Sequence, residues 1–141
     1  MKLLGVSLLT VIFATLSAAQ KVHIVSPTPG EKFGLGHELT VQIARPASEY
    51  APTEVGLAIT TISCGSGPCI PPTQAAGGVL YYGPYNPKSH GKGVAYQNFT
   101  VVLPNFQVFI GPAQISVIRL ALVGGIPHPI LDTTSVPIEV L

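Results

Sequence analysis

The feature that most narrows the fold of this chain is a period of two. Five short stretches alternate apolar with polar residues, as a strand buried on one face does, two more are rich in β-branched and aromatic residues, and no stretch sustains the 3.6-residue spacing of an amphipathic helix. The clearest runs from Glu38 to Ala44, with Leu39, Val41 and Ile43 on one side and Thr40, Gln42 and Ala44 on the other. Before it, Lys21 to Ser26 sets Val22 and Ile24 against Lys21 and His23; after it, Val55, Leu57 and Ile59 mark a third strand. Gly78 to Tyr82 is short and aromatic. Tyr96 to Leu103 points Phe99, Val101 and Leu103 inward and Asn98, Thr100 and Val102 outward. Thr133 to Leu141 closes the chain with Val136, Ile138 and Val140 on one face, and Pro137 suggests an edge.

The longest apolar run, Ala113 to Val123, has the length of a helix, but its β-branched residues and the following Gly124-Gly125 predict a buried strand. Arg119 interrupts it. A charge there predicts a bulge, or an edge from which the guanidinium escapes along its apolar stem. Turns fall where the chain is rich in proline and glycine: Pro27-Thr28-Pro29-Gly30, Gly34 to Gly36, the polar connection from Pro46 to Pro52, residues 65–77 and Gly83 to Gly93. Seven short strands with regular turn signals predict an all-β fold, an immunoglobulin-like or fibronectin-like β-sandwich. A small barrel would need more even strand lengths.

The first nineteen residues are set apart. Lys2, the apolar run from Leu3 to Leu16 and Ser17-Ala18-Ala19 have the order of a signal peptide, so residues 1–19 are expected to be removed and 20–141 to form one domain with no membrane span. Beyond the leader, Lys21, Lys32, Arg45, Lys88, Lys92 and Arg119 balance Glu31, Glu38, Glu49, Glu54, Asp132 and Glu139. Such neutrality argues against nucleic acid or an anionic membrane as partner. Cys64 and Cys69, the only cysteines, are expected to form a disulfide in a secreted chain, closing a loop so small that it contributes only about 2 kcal/mol.

A catalytic centre is not legible. Gly65-Ser66-Gly67 sits between the cysteines with no strand-to-helix turn, and His23, His37, His90 and His128 lack the spacing of metal ligands on one element. The acids between Glu31 and Glu54 flank turns and strand ends and read as solvated charges. No enzymatic activity and no cofactor are therefore expected. What stands out is Gly77 to Pro104, where Tyr81, Tyr82, Tyr85 and Tyr96 surround an irregular loop. Rigid amphipathic rings on a proline-stiffened loop suit protein and carbohydrate interfaces. Tyr81, Tyr82, Tyr85, Asn86, Lys88, Lys92 and Tyr96 are the candidate binding residues, with the lysines at the polar rim. Asn98-Phe99-Thr100 is an N-glycosylation sequon on the outward face of its strand.

The order of leader, strand and P-x-x-G turn, followed by VLYYGPYNP, YQNFTVVLP and AQISVIRLALVGG-x-P, resembles the fungal necrosis-inducing secreted protein effectors. The distinctive part lies in Tyr82-Gly83-Pro84, the Asn98-Phe99-Thr100 strand and the Ala113 to Gly125 segment. The resemblance implies a protein secreted into the plant apoplast that suppresses pattern-triggered immunity by binding receptor-associated kinases. It implies no enzymatic activity, and no site motif can be carried over residue by residue. Since no segment follows the last expected strand, cell killing is not carried over. The other reading of the residues is a wall-associated sandwich that binds or organises glucan or chitin.

Overall fold

The computed structural model of the chain describes residues 21–47, 51–91 and 93–141. The expected leader, Gln20, Glu49 and Lys92 lie outside the described residues. Nine strands are present among the described residues: β1 (His23–Ser26), β2 (Glu31–Phe33), β3 (Glu38–Arg45), β4 (Thr53–Ser63), β5 (Gly78–Gly83), β6 (Lys88–Ser89), β7 (Ala95–Val102), β8 (Gly111–Val123) and β9 (His128–Val140). Seven coincide with the stretches expected to be strands. The additional two, β2 and β6, are three and two residues long and too short to show any period. Among the described residues no helix is long and apolar enough to cross a membrane.

The strands form a four-stranded sheet in the order β1-β3-β7-β6 and a five-stranded sheet in the order β2-β9-β8-β4-β5. In immunoglobulin lettering this is A-B-E-D packed on A′-G-F-C-C′, with the short β2 running parallel to the end of β9. The protein is thus an immunoglobulin-like sandwich. Its disulfide, however, joins Cys64 to Cys69 within the β4–β5 connection and does not link the sheets.

Alternation decides what lies between the sheets. Val41 and Ile43 of β3 and Phe99 and Val101 of β7 meet Leu57 and Ile59 of β4, Ile115 and Val117 of β8, and Val136 and Ile138 of β9. Each aliphatic side chain fully buried in this way contributes about 1.5–3 kcal/mol relative to exposure.

At one end the inward positions become charged. Arg119 follows Ile115 and Val117 on the same face of β8, and Arg45 follows Val41 and Ile43 on β3. The expectations of a bulge or edge at Arg119 and of a solvated Glu54 are both overturned. Arg119 lies on a central strand in regular register with Asp132 and is fully buried; the bulge is in β4, between Glu54 and Gly56. Its Nε and Nη2 donate to the two oxygens of Glu54 at 2.7 and 2.6 Å, and Nη1 donates to Asp132 Oδ2 at 3.1 Å. Arg45 Nη1 donates to Glu54 Oε1 at 2.7 Å. Burial works against the guanidinium charge of Arg119, but the hydrogen bonds and charges of Glu54 and Asp132 outweigh it, and its pKa is raised above the usual value. The buried cation persists because two carboxylates largely shielded from water lie against it.

Pro137 does not mark an edge strand, since β9 lies between β2 and β8, but the ladder shows why it is tolerated. Its carbonyl accepts from Gly30 N at 2.9 Å, on the side of β9 away from β8. Its missing N–H is on that same outer side, so the β8–β9 ladder loses nothing.

Candidate functional site

The tyrosine-bearing stretch does not form a single surface; its side chains go to three places. The first is the core. Tyr81 points inward from β5, its ring centroid 4.7 Å from that of Phe99 and its hydroxyl donating to Pro84 O at 2.7 Å. Gly83 then turns the chain off β5 with φ 146°, a conformation that side-chain-bearing residues rarely adopt. This turn carries the chain across the open side of the sandwich towards β6. Tyr85 is driven inward as it crosses, and is 1% exposed. Its ring packs near Phe99 and its hydroxyl donates to Ile43 O at 3.2 Å. Burial first, and then the negative charge of Glu54, push its phenol well above the ordinary value. Tyr85 is therefore a plug between the sheets and not a contact residue.

The second destination is the outer face of the four-stranded sheet. Asn86, Lys88, His90, Tyr96, Gln97 and Asn98 line a shallow groove of about 300 Å³. The rings of His90 and Tyr96 stack there, 3.7 Å apart and 13° from parallel. Asn86 N donates to Gln97 Oε1 at 2.7 Å, which fixes the loop to β7. Gln42 Nε2 donates to Asn98 Oδ1 at 2.8 Å from the neighbouring strand β3. His90, Gln97 and Gln42 were not singled out in the sequence. Elsewhere on this face Thr40 and Thr100 are polar and exposed, with the exposed Val102 at its far end.

The third destination is the outer face of the five-stranded sheet, reached by Tyr82. Ladder partners place Tyr82, Ala58, Ile118 and Thr133 in one row across β5, β4, β8 and β9, and Gly56, Leu120 and Leu131 in the next. Leu122 and Pro129 follow. Tyr82 is 81% exposed, Leu131 70% and Leu120 37%. No charged residue projects from these three rows, and the bulge at Glu54–Gly56 adds the exposed Val55 beside them. Towards the other end the same face is covered. Gln114 points outward yet is buried, its Nε2 donating to Ile70 O at 3.0 Å, and Ser116 is fully buried next to it. The disulfide-closed connection between β4 and β5 thus folds back over half of the sheet and leaves the other half open.

Among the described residues no group of three or more His, Cys, Asp and Glu side chains could hold a metal ion. The acids that converge, Glu54 and Asp132, are engaged by Arg119. What the fold offers is a polar grooved face and an apolar face, on opposite sides of one immunoglobulin-like domain. No family model matches the chain, and no curated protein matches it.

Proposed function

We propose that this is a secreted, non-enzymatic binding domain that docks a protein partner on the open half of its five-stranded sheet. The observation behind this reading is the uncharged run of Tyr82, Ile118, Leu120, Leu122 and Leu131 on an outward face. Contiguous exposed apolar surface on a small soluble domain marks an interaction site, and an exposed tyrosine among leucines is the composition of an interface centre. The resemblance to fungal secreted effectors supplies the partner class, plant receptor-associated kinases, and the outcome, suppression of pattern-triggered immunity.

The test is co-precipitation with receptor-associated kinase domains, together with the elicitor-triggered oxidative burst in leaves expressing the protein. The wild type should bind and damp the burst, and Leu131→Glu should do neither. Binding that survives Leu131→Glu and Tyr82→Ala together would remove this face from the account. A second reading, retention on wall glucan or chitin, is favoured by the amide-lined groove with its stacked aromatic pair on the other sheet. It predicts retention on the polysaccharide that falls on Tyr96→Ala and is indifferent to Leu131→Glu.

A further inference from the structure

Asn98 does not merely lie on an outward face; it lines the groove itself. Asn98 and Thr100 project from the same exposed side of β7, so both sequon side chains are accessible. The bond from Gln42 Nε2 holds Asn98 Oδ1 on the β3 side. Because the two amide heteroatoms lie on opposite sides of Cγ, this turns Nδ2 away from β3, towards the groove. Tyr96 is two residues back on the same face, about 7 Å along the strand, within reach of the first sugar of an attached glycan. A space of about 300 Å³ is at the small end of ligand clefts and suits one sugar ring better than a polymer. Its lining supplies what a sugar ring takes: the outer face of a stacked aromatic pair for its C–H face, and the side-chain amide of Asn86, the Gln97 amide N–H2 and the Lys88 ammonium for its hydroxyl and acetamido groups.

We propose that Asn98 carries an N-linked glycan whose first N-acetylglucosamine lies in this groove, over Tyr96 and His90, so that the site is filled by the protein's own modification. It rests on the secreted reading, since the modification is made on chains entering the secretory pathway. In the covalent step Asn98 Nδ2 attacks C1 of a polyprenyl-diphosphate-linked oligosaccharide delivered by the host's transferase. The N–C1 bond forms, the C1–O bond to the diphosphate breaks, and the Nδ2 proton passes to the transferase's base.

The experiment uses the full chain secreted from a yeast that adds high-mannose glycans. Intact mass before and after N-glycanase reads occupancy: wild type should lose one glycan, and Asn98→Gln should have none to lose. The rate of an endoglycosidase that cuts between the first two N-acetylglucosamines reads seating. Native wild type should be cut about tenfold more slowly than either Tyr96→Ala or His90→Ala, the worth of one lost ring contact. His90 is exposed, so its variant keeps the test valid should Tyr96→Ala disturb the fold. A wild-type mass without glycan overturns the proposal, as do equal cleavage rates in all three proteins. So does binding of a chitin oligomer by the glycosylated wild type that is lost on Tyr96→Ala. None of these outcomes bears on kinase binding by the opposite face, which Leu131→Glu tests separately.

Discussion

The two outer faces of this sandwich are built by the same alternation and have opposite characters. On the four-stranded sheet the outward positions are Thr40, Gln42, Tyr96, Asn98 and Thr100, joined by hydrogen bonds such as that from Gln42 to Asn98. On the open half of the five-stranded sheet they are Tyr82, Ala58, Ile118, Leu120 and Leu131, with no charge among them. A free antiparallel face is ordinarily polar. The first face follows that rule and can carry a hydrated glycan; the second departs from it only where the disulfide-closed connection stops covering it. The departure is local, as the proposed interface requires.

Both faces depend on one interior, so the strongest way to break the comparison is to damage what they share. Arg119→Ala leaves Asp132 without its arginine and Glu54 with Arg45 alone, both largely shielded from water, and should cost about 3–5 kcal/mol in chemical denaturation, with both faces lost in one transition. A loss below about 1 kcal/mol would mean the charged layer is solvated and peripheral. Tyr85→Phe keeps the plug and removes the bond to Ile43 O, for an expected cost of about 1 kcal/mol. It should also change the alkaline limb. The phenol's folded value is raised above its ordinary 10.0, so its contribution is complete below that pH and is lost as pH rises past it. Stability measured below and above about pH 10 should fall less steeply in Tyr85→Phe than in wild type; parallel slopes would place Tyr85 in solvent.

Smaller stability effects sharpen the contrast between the faces. Leu120→Glu with Leu131→Glu should shift stability by no more than about 0.5 kcal/mol per site, because both side chains already meet water, while removing binding of an apolar fluorescent dye. Gln42→Ala, on the other face, should be nearly silent in stability and should leave dye binding unchanged.

Five of the seven expected strands were legible because their alternation reflects a solvent boundary, and β5 and β8 because of their β-branched and aromatic residues, which is local information. Arg119 was half legible. It shares a face with Ile115 and Val117, but burial of an arginine depends on partners, and these are Glu54, sixty-five residues away, and Asp132, thirteen away. Tyr85 was misplaced because residues 83–93 carry the signs of an exposed loop. Only the passage of the chain from one sheet to the other drives that ring inward. The apolar face was hidden for a related reason: Ile118, Leu120 and Leu122 read as part of a strand buried on both sides. Whether anything covers the outer side depends on how far the 64–77 connection reaches. The sequon on β7 was plain, but the groove next to it requires His90 and Tyr96 to meet across a loop.

The most direct test of the central claim is the affinity for a receptor-associated kinase domain of two charge-matched variants, Leu120→Glu/Leu131→Glu and Thr40→Glu/Thr100→Glu. Each places two carboxylates on one outer face of the same fold, and the second also removes the sequon. The account predicts at least a hundredfold loss for the first, about 2.7 kcal/mol, and less than threefold for the second. Equal losses, or a loss confined to the second, would contradict it.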